Sequence, residues 1–166
     1  MNTTYEVRAI APTVLDQLRR RDDAGHTRTA ATDPEGGAPL RCCLGRSKAG
    51  ERIVLVSYAP LRRWAQETGA EPGPYDECGP VFIHADDCGG PTSGAGYPAE
   101  LHGPLRTLRL YDARGHILGG HLVELPRERA GEMDHALREV FADRAVAVVH
   151  VRAVEFGCFM AEVRRG

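Results

Sequence analysis

The segment Cys78–Cys88 concentrates reactive side chains: Cys78, His84, Asp86, Asp87 and Cys88 fall in one short stretch. Pro80–Ala85 reads as a strand. If that strand runs on past Ala85, Phe82, His84, Asp86 and Cys88 project to one face, because strand side chains alternate with a period of two. An imidazole, a carboxylate and a thiol along one edge support three readings. Cys88 could be a nucleophile with His84 as its base. His84 and Cys88, joined by a distant Cys or His, could ligate zinc. The third reading is an ordinary strand end with a structural His and a buried Cys, since free Cys is among the most buried residue types. His-x-Asp-x-Cys is not a recognised ligand spacing. No metal ligand is therefore assigned, and no cofactor is expected.

A second constellation is Arg41-Cys42-Cys43. In an extended Leu40–Leu44 strand, Cys43 faces the same way as Arg41 and Cys42 the opposite way, which makes the vicinal pair a poor chelate. A third is polar. Thr107, Arg109 and Tyr111 share one face of a strand over Leu105–Asp112, and His150 and Arg152 share a face of another over Ala145–Val154. Two arginines, a tyrosine and a histidine converging on one sheet face would grip an anion, because guanidinium binds carboxylate or phosphate bidentately. The stretch Cys88–Gly103 is rich in glycine (89, 90, 94, 96) but lacks the Gly-Lys-Ser/Thr ending and following helix of a phosphate loop. It reads as a flexible flap. Cys78 is expected to be buried. No Gly-x-Ser-x-Gly elbow, His-Glu-x-x-His helix or Cys-x-x-Cys pair is present.

The elements that must position these residues follow from periodicity and punctuation. Tyr5–Ile10 alternates as a strand, and Pro12 opens a helix with Val14, Leu15 and Leu18 on one face. Ala24–Pro39, rich in Gly, Thr, Pro and Asp, reads as a mobile loop. Arg52–Tyr58 reads as a strand buried on both faces. Leu61–Gly69 is a short helix with Leu61, Trp64 and Ala65 as its apolar stripe. Leu105–Asp112 and His116–Leu125 form a hairpin around Ala113-Arg114-Gly115. Gly131–Asp143 is an amphipathic helix, Ala145–Val154 a strand, and Cys158–Arg165 a final strand. The expected fold is α+β: a mostly antiparallel sheet of about seven strands packed against two main helices, in a single domain spanning 1–166.

The 166 residues are 42% hydrophobic and 27% charged, with 21 basic against 23 acidic side chains and a net charge of −2. That balance argues against nucleic acid as a partner. No apolar run approaches the roughly 20 residues that span a bilayer, so no membrane partner is expected. Met1–Ile10 lacks a signal-peptide layout. Five cysteines, an odd number, argue against a disulfide framework. The expected location is cytoplasmic.

The order of motifs resembles a bacterial family of unknown function, domain-of-unknown-function family 1203. The stretches that carry the resemblance begin with Tyr5-Glu6-Val7-Arg8-Ala9-Ile10, Pro39-Leu40-Arg41-Cys42-Cys43-Leu44 and Gly50-Glu51-Arg52-Ile53 through Ser57-Tyr58-Ala59-Pro60. They continue with Gly73-Pro74-Tyr75, Gly79-Pro80-Val81-Phe82-Ile83-His84-Ala85, Cys88, Leu108-Arg109-Leu110-Tyr111-Asp112 and His150-Val151-Arg152 through Gly157-Cys158. The resemblance implies a compact bacterial domain; the family brings no activity, substrate or catalytic residues. Leu61–Pro72 departs from the pattern as an insertion that could act as a lid.

The leading expectation is a domain binding a small anionic molecule in a pocket on one sheet face, with Cys/His-dependent catalysis left open. Arg41, Arg109, Tyr111 and Arg152 would hold the ligand. His84 and His150 would carry protons and Cys88 would be the nucleophile. Two other readings stand beside it: a non-catalytic interaction or regulatory module without a pocket, self-associating as a homodimer, and a structural zinc domain.

Overall fold

The computed structural model describes residues 5–92, 94 and 96–166. Its strands are β1 (Tyr5–Arg8), β2 (Ala31–Thr32), β3 (Arg52–Tyr58), β4 (Gly79–His84), β5 (Leu105–Tyr111), β6 (Ile117–Glu124), β7 (Val148–Ala153) and β8 (Phe159–Arg165). Its helices are α1 (Pro12–Arg20), α2 (Pro60–Thr68) and α3 (Glu132–Phe141). The class is α+β, but the strands divide into two antiparallel sheets rather than forming one sheet of seven. The large sheet has the order β1-β8-β7-β5-β6 and the small one β2-β3-β4.

Alternation in the central strands explains the layering. Leu108, Leu110, Val149, Val151 and Val163 are buried with Met133, Leu137, Val140 and Phe141 of α3. The other side of the same strands carries Tyr111 and Val148, which pack with Leu61 and Trp64 of α2. The segment read as a possible lid, Leu61–Pro72, is therefore built into a core at Leu61, Trp64 and Ala70. A further core joins Leu15 and Leu18 of α1 to Val54, Val56, Tyr58, Val81 and Ile83 of the small sheet. Leu18 is fully buried, which is worth about 2–3 kcal/mol. Pro12 opens α1 because a first-turn residue needs no N–H partner.

The β5–β6 turn is closed by Asp112, whose Oδ1 accepts the N–H groups of Arg114 at 2.9 Å and His116 at 3.0 Å. Gly115 supplies the required positive φ of 83°. The segment expected to be a mobile loop, Ala24–Pro39, is held down instead. Asp22 accepts hydrogen bonds from the N–H groups of Ala24, His26 and Ser57 and from Arg28 Nε. Asp33 accepts the Gly36 N–H and the Ser47 hydroxyl. Leu55 is 47% exposed, so β3 is not covered on both faces as its apolar run suggested. The Cys88–Gly103 flap departs from expectation over its described part. Leu101 is fully buried in the α3 core, and the Tyr97 N–H donates to Asp134 at 2.8 Å. Ser93 and Ala95 of that stretch lie outside the described residues, as do Met1–Thr4.

Candidate metal centre

Leu40–Leu44 is not a strand. The chain makes a tight turn in which the Leu40 N–H donates to Gly45 O at 2.8 Å and the Leu44 N–H to Leu40 O at 3.1 Å. Leu44 takes a left-handed φ of 59°, an uncommon conformation for leucine. Leu40 bridges Phe82, and the Arg41 N–H donates to Phe82 O at 3.0 Å, which fastens the turn over the end of β4. In a turn, unlike a strand, neighbouring side chains can converge. Cys42 and Cys43 both reach the same point, and the expectation that one must face away fails for that reason.

β4 ends at His84 because the chain bends at Ala85 and Asp86. Arg19 of α1 holds this bend, donating to His84 O at 3.2 Å and to Asp86 O at 3.0 Å. Asp87 Oδ1 then accepts the Gly89 N–H at 2.9 Å, an Asx turn that brings Cys88 back toward His84. One donor atom from each of Cys42, Cys43, His84 and Cys88 lies within 4.8 Å of the others. Cys42 is buried and the other three are half-buried. Asp86 is not a member. Cys78, expected to be buried, is exposed.

The imidazole is oriented by its two neighbours. His84 Nε2 lies 3.0 Å from Glu51 Oε2, and Nδ1 lies 3.3 Å from Cys42 Sγ. A carboxylate is acceptor-only, so the pairing assigns the proton to Nε2 and turns the Nδ1 lone pair toward the thiols. Glu51 Oε2 also accepts the Lys48 N–H at 3.0 Å. The Lys48 N–H first, and His84 second, hold the Glu51 carboxyl below its usual range. The His84 N–H donates to Cys42 Sγ at 3.2 Å. Cys43 is drawn below the ordinary thiol range, first by its hydrogen bond with Cys42 and further by the Gly45 backbone, His84 and Cys88, against the effect of burial. Cys42 is pushed up by that same bond and by burial. The two thiols are thus pushed in opposite directions, Cys42 up and Cys43 down.

Three sulfurs and an imidazole nitrogen form a soft donor set that suits zinc. With Zn–S near 2.3 Å and Zn–N near 2.0 Å, ligand atoms in a tetrahedron stand roughly 3.5–3.8 Å apart. The Cys42–His84 separation of 3.3 Å is within a few tenths of that. The carboxylate behind His84 is the arrangement metal-bound imidazoles commonly have.

The remaining residues picked out by sequence fall elsewhere. Cross-strand register does bring Arg109 opposite His150 and Thr107 opposite Arg152. Arg109 donates to Glu77 at 2.6 Å, Arg152 lies 3.7 Å from the same carboxylate, and Tyr111 Oη is 3.4 Å from Arg109. Glu77 therefore stands where an anion was expected between these arginines. His150 is 1% exposed, pairs with Glu162 at 3.1 Å and packs against the Tyr111 ring. It shares neither sheet nor contacts with His84. Arg41 is buried against Phe159 O and is not part of the cluster. Sequence reasoning did not single out Glu51. Gly45, two residues beyond Cys43, was the available sign of a turn.

Fold and site together define an α+β domain with antiparallel sheets and a cluster of three cysteines and one histidine at the end of the smaller one. The chain belongs to the family described as "Protein of unknown function (DUF1203)", whose model matches residues 37–165. No curated protein and no solved structure matches the chain. Among the described residues, no helix is long and apolar enough to cross a membrane.

Proposed function

We propose that the domain binds a single zinc ion through Cys42, Cys43, His84 Nδ1 and Cys88. The observation that carries this reading is the convergence of four donor atoms from three separate segments, with Glu51 backing the imidazole. A four-ligand shell leaves no open position, which is the pattern of structural sites. The ion would tie the Leu40–Arg46 turn, the end of β4 and the start of the Cys88–Gly103 segment into one unit. It would also occupy all three thiolates, so Cys88 cannot be both ligand and free nucleophile.

The test is metal analysis of protein purified under reducing conditions without chelator. Zinc close to one per chain is expected, falling in Cys43→Ser and Cys88→Ser. Cobalt substitution should give thiolate-to-metal charge-transfer absorption and tetrahedral ligand-field bands. Stoichiometry near zero, with no cobalt uptake by the reduced protein, would overturn the reading. In that case Cys43, the thiol of the pair drawn downward, should react faster with iodoacetamide than Cys42.

A further inference from the structure

The turn that gathers the thiols also carries Arg41, whose contacts lie with other residues. Arg41 is 3% exposed, and its guanidinium donates to Phe159 O at 2.8 Å and Pro39 O at 2.5 Å and reaches Met160 Sδ at 3.7 Å. No carboxylate lies within ion-pair distance of it among the described residues. A buried charge held only by carbonyls is costly unless a counter-charge completes it. Burial draws the Arg41 guanidinium down to about 10.

Arg106, 4% exposed, is the second guanidinium there. It donates to Leu101 O at 3.1 Å and Leu105 O at 3.0 Å and pairs loosely with Glu155 at 3.5 Å. Among the described residues its Nε is buried with no hydrogen-bond partner. Both arginines line a cleft of about 540 Å³, with Arg46 at its rim. The opposite wall is apolar: Leu55, Phe82, Ala153 and Phe156. Leu55 is 47% exposed and Phe156 88% exposed, so apolar surface faces solvent beside a buried positive charge. That volume is ordinary for a small-molecule site, and a few polar groups at one end of an apolar cavity are what fixes a ligand's orientation.

We propose that this cleft binds a monocarboxylate with an apolar body, its carboxylate on Arg41 and Arg106 and its body along Leu55, Phe82 and Phe156. Arg46 is exposed and screened by solvent and Glu155 balances part of Arg106, so Arg41 is the buried lining charge that has no carboxylate, and one monoanion would match it. The inference is independent of the metal reading, since none of the four proposed metal ligands lines the cleft.

Calorimetric titration with decanoate, and with decanol as the neutral control, tests it on the full chain. Decanoate should bind at least tenfold tighter than decanol. Arg41→Met should weaken decanoate at least tenfold, the size expected for losing a charge-assisted hydrogen bond. Arg41 adjoins Cys42, so a second variant, Leu55→Asp, tests the far wall. It places a carboxylate on an already exposed position and should weaken decanoate at least tenfold with metal content and circular dichroism unchanged. Equal binding of decanol and decanoate, no decanoate binding below millimolar, or undiminished binding in Leu55→Asp would overturn the proposal.

Discussion

Glu51 gives the sharpest handle on the proposed zinc site, because it touches the imidazole without being a ligand. Its Oε2 lies 3.0 Å from His84 Nε2. Outer carboxylates of this kind typically contribute 10–100-fold in metal affinity, or about 1.4–2.8 kcal/mol. Two substitutions divide that range. Glu51→Gln keeps an oxygen that can accept the Nε2 proton and removes only the charge, so affinity should fall about tenfold. Glu51→Ala also frees the ring to rotate and should approach the hundredfold limit. The side chain is one-third exposed, so neither change should unfold the domain. Competition against a zinc-chelating dye at neutral pH reads the difference, with thermal melts of the zinc-loaded variants as the control. Unchanged affinity in Glu51→Ala would refute the argument that His84 binds through Nδ1 with Glu51 behind it.

Three further outcomes follow from the same structure. Zinc binding at pH 7 should release protons, that of Cys42 among them, because that thiol is pushed up and keeps its proton there; calorimetry in buffers of different ionisation enthalpy measures the number, and zero release would contradict the thiol assignment. Burial alone would raise the Asp22 carboxyl, but Arg28 and the backbone N–H groups of Ser57 and His26 outweigh it and hold it below the carboxylate range. Its stabilising contribution is therefore present above pH ~4 and lost as pH falls further, and Asp22→Asn should cost about 2–3 kcal/mol at pH 7 in urea denaturation while flattening the acid limb. Glu162→Leu leaves buried His150 without its hydrogen-bond partner and removes one partner of Arg164, and should cost about 1–3 kcal/mol, whereas His150→Leu/Glu162→Leu should recover part of that loss; strict additivity would show that the pair is not coupled.

Local pattern was enough for most elements. The hairpin at Asp112–His116, the helix ending at Phe141 and the strand Arg52–Tyr58 each carry their periodicity and stop signals within themselves. Pairing was not legible. That β3 and β4 leave the main sheet depends on contacts between distant segments, for which period-two alternation holds no information. The site divides the same way. His84 and Cys88 lie close in sequence and could be grouped by inspection. Cys42 and Cys43 sit some forty positions earlier, and the turn that aims them depends on Leu44 adopting a left-handed backbone only its surroundings can impose. The polar faces of Arg109 and Arg152 were legible each within its own strand, but their pairing was not, and the carboxylate between them comes from Glu77, outside any element with a period.

The Leu40–Arg46 turn has a consequence for how the chain can vary in length. Its direction of travel, not its composition alone, decides which side chains go left and which go right. One residue inserted between Arg41 and Cys42 would rotate everything after it, so that the thiols leave their partners and Leu44 loses its place against Leu40. A deletion there would draw Arg41 away from Phe159 O. Each proposed site would then fail from a change of one residue in chain length at this turn. Natural length variation is expected to spare the stretch between Pro39 and Arg46.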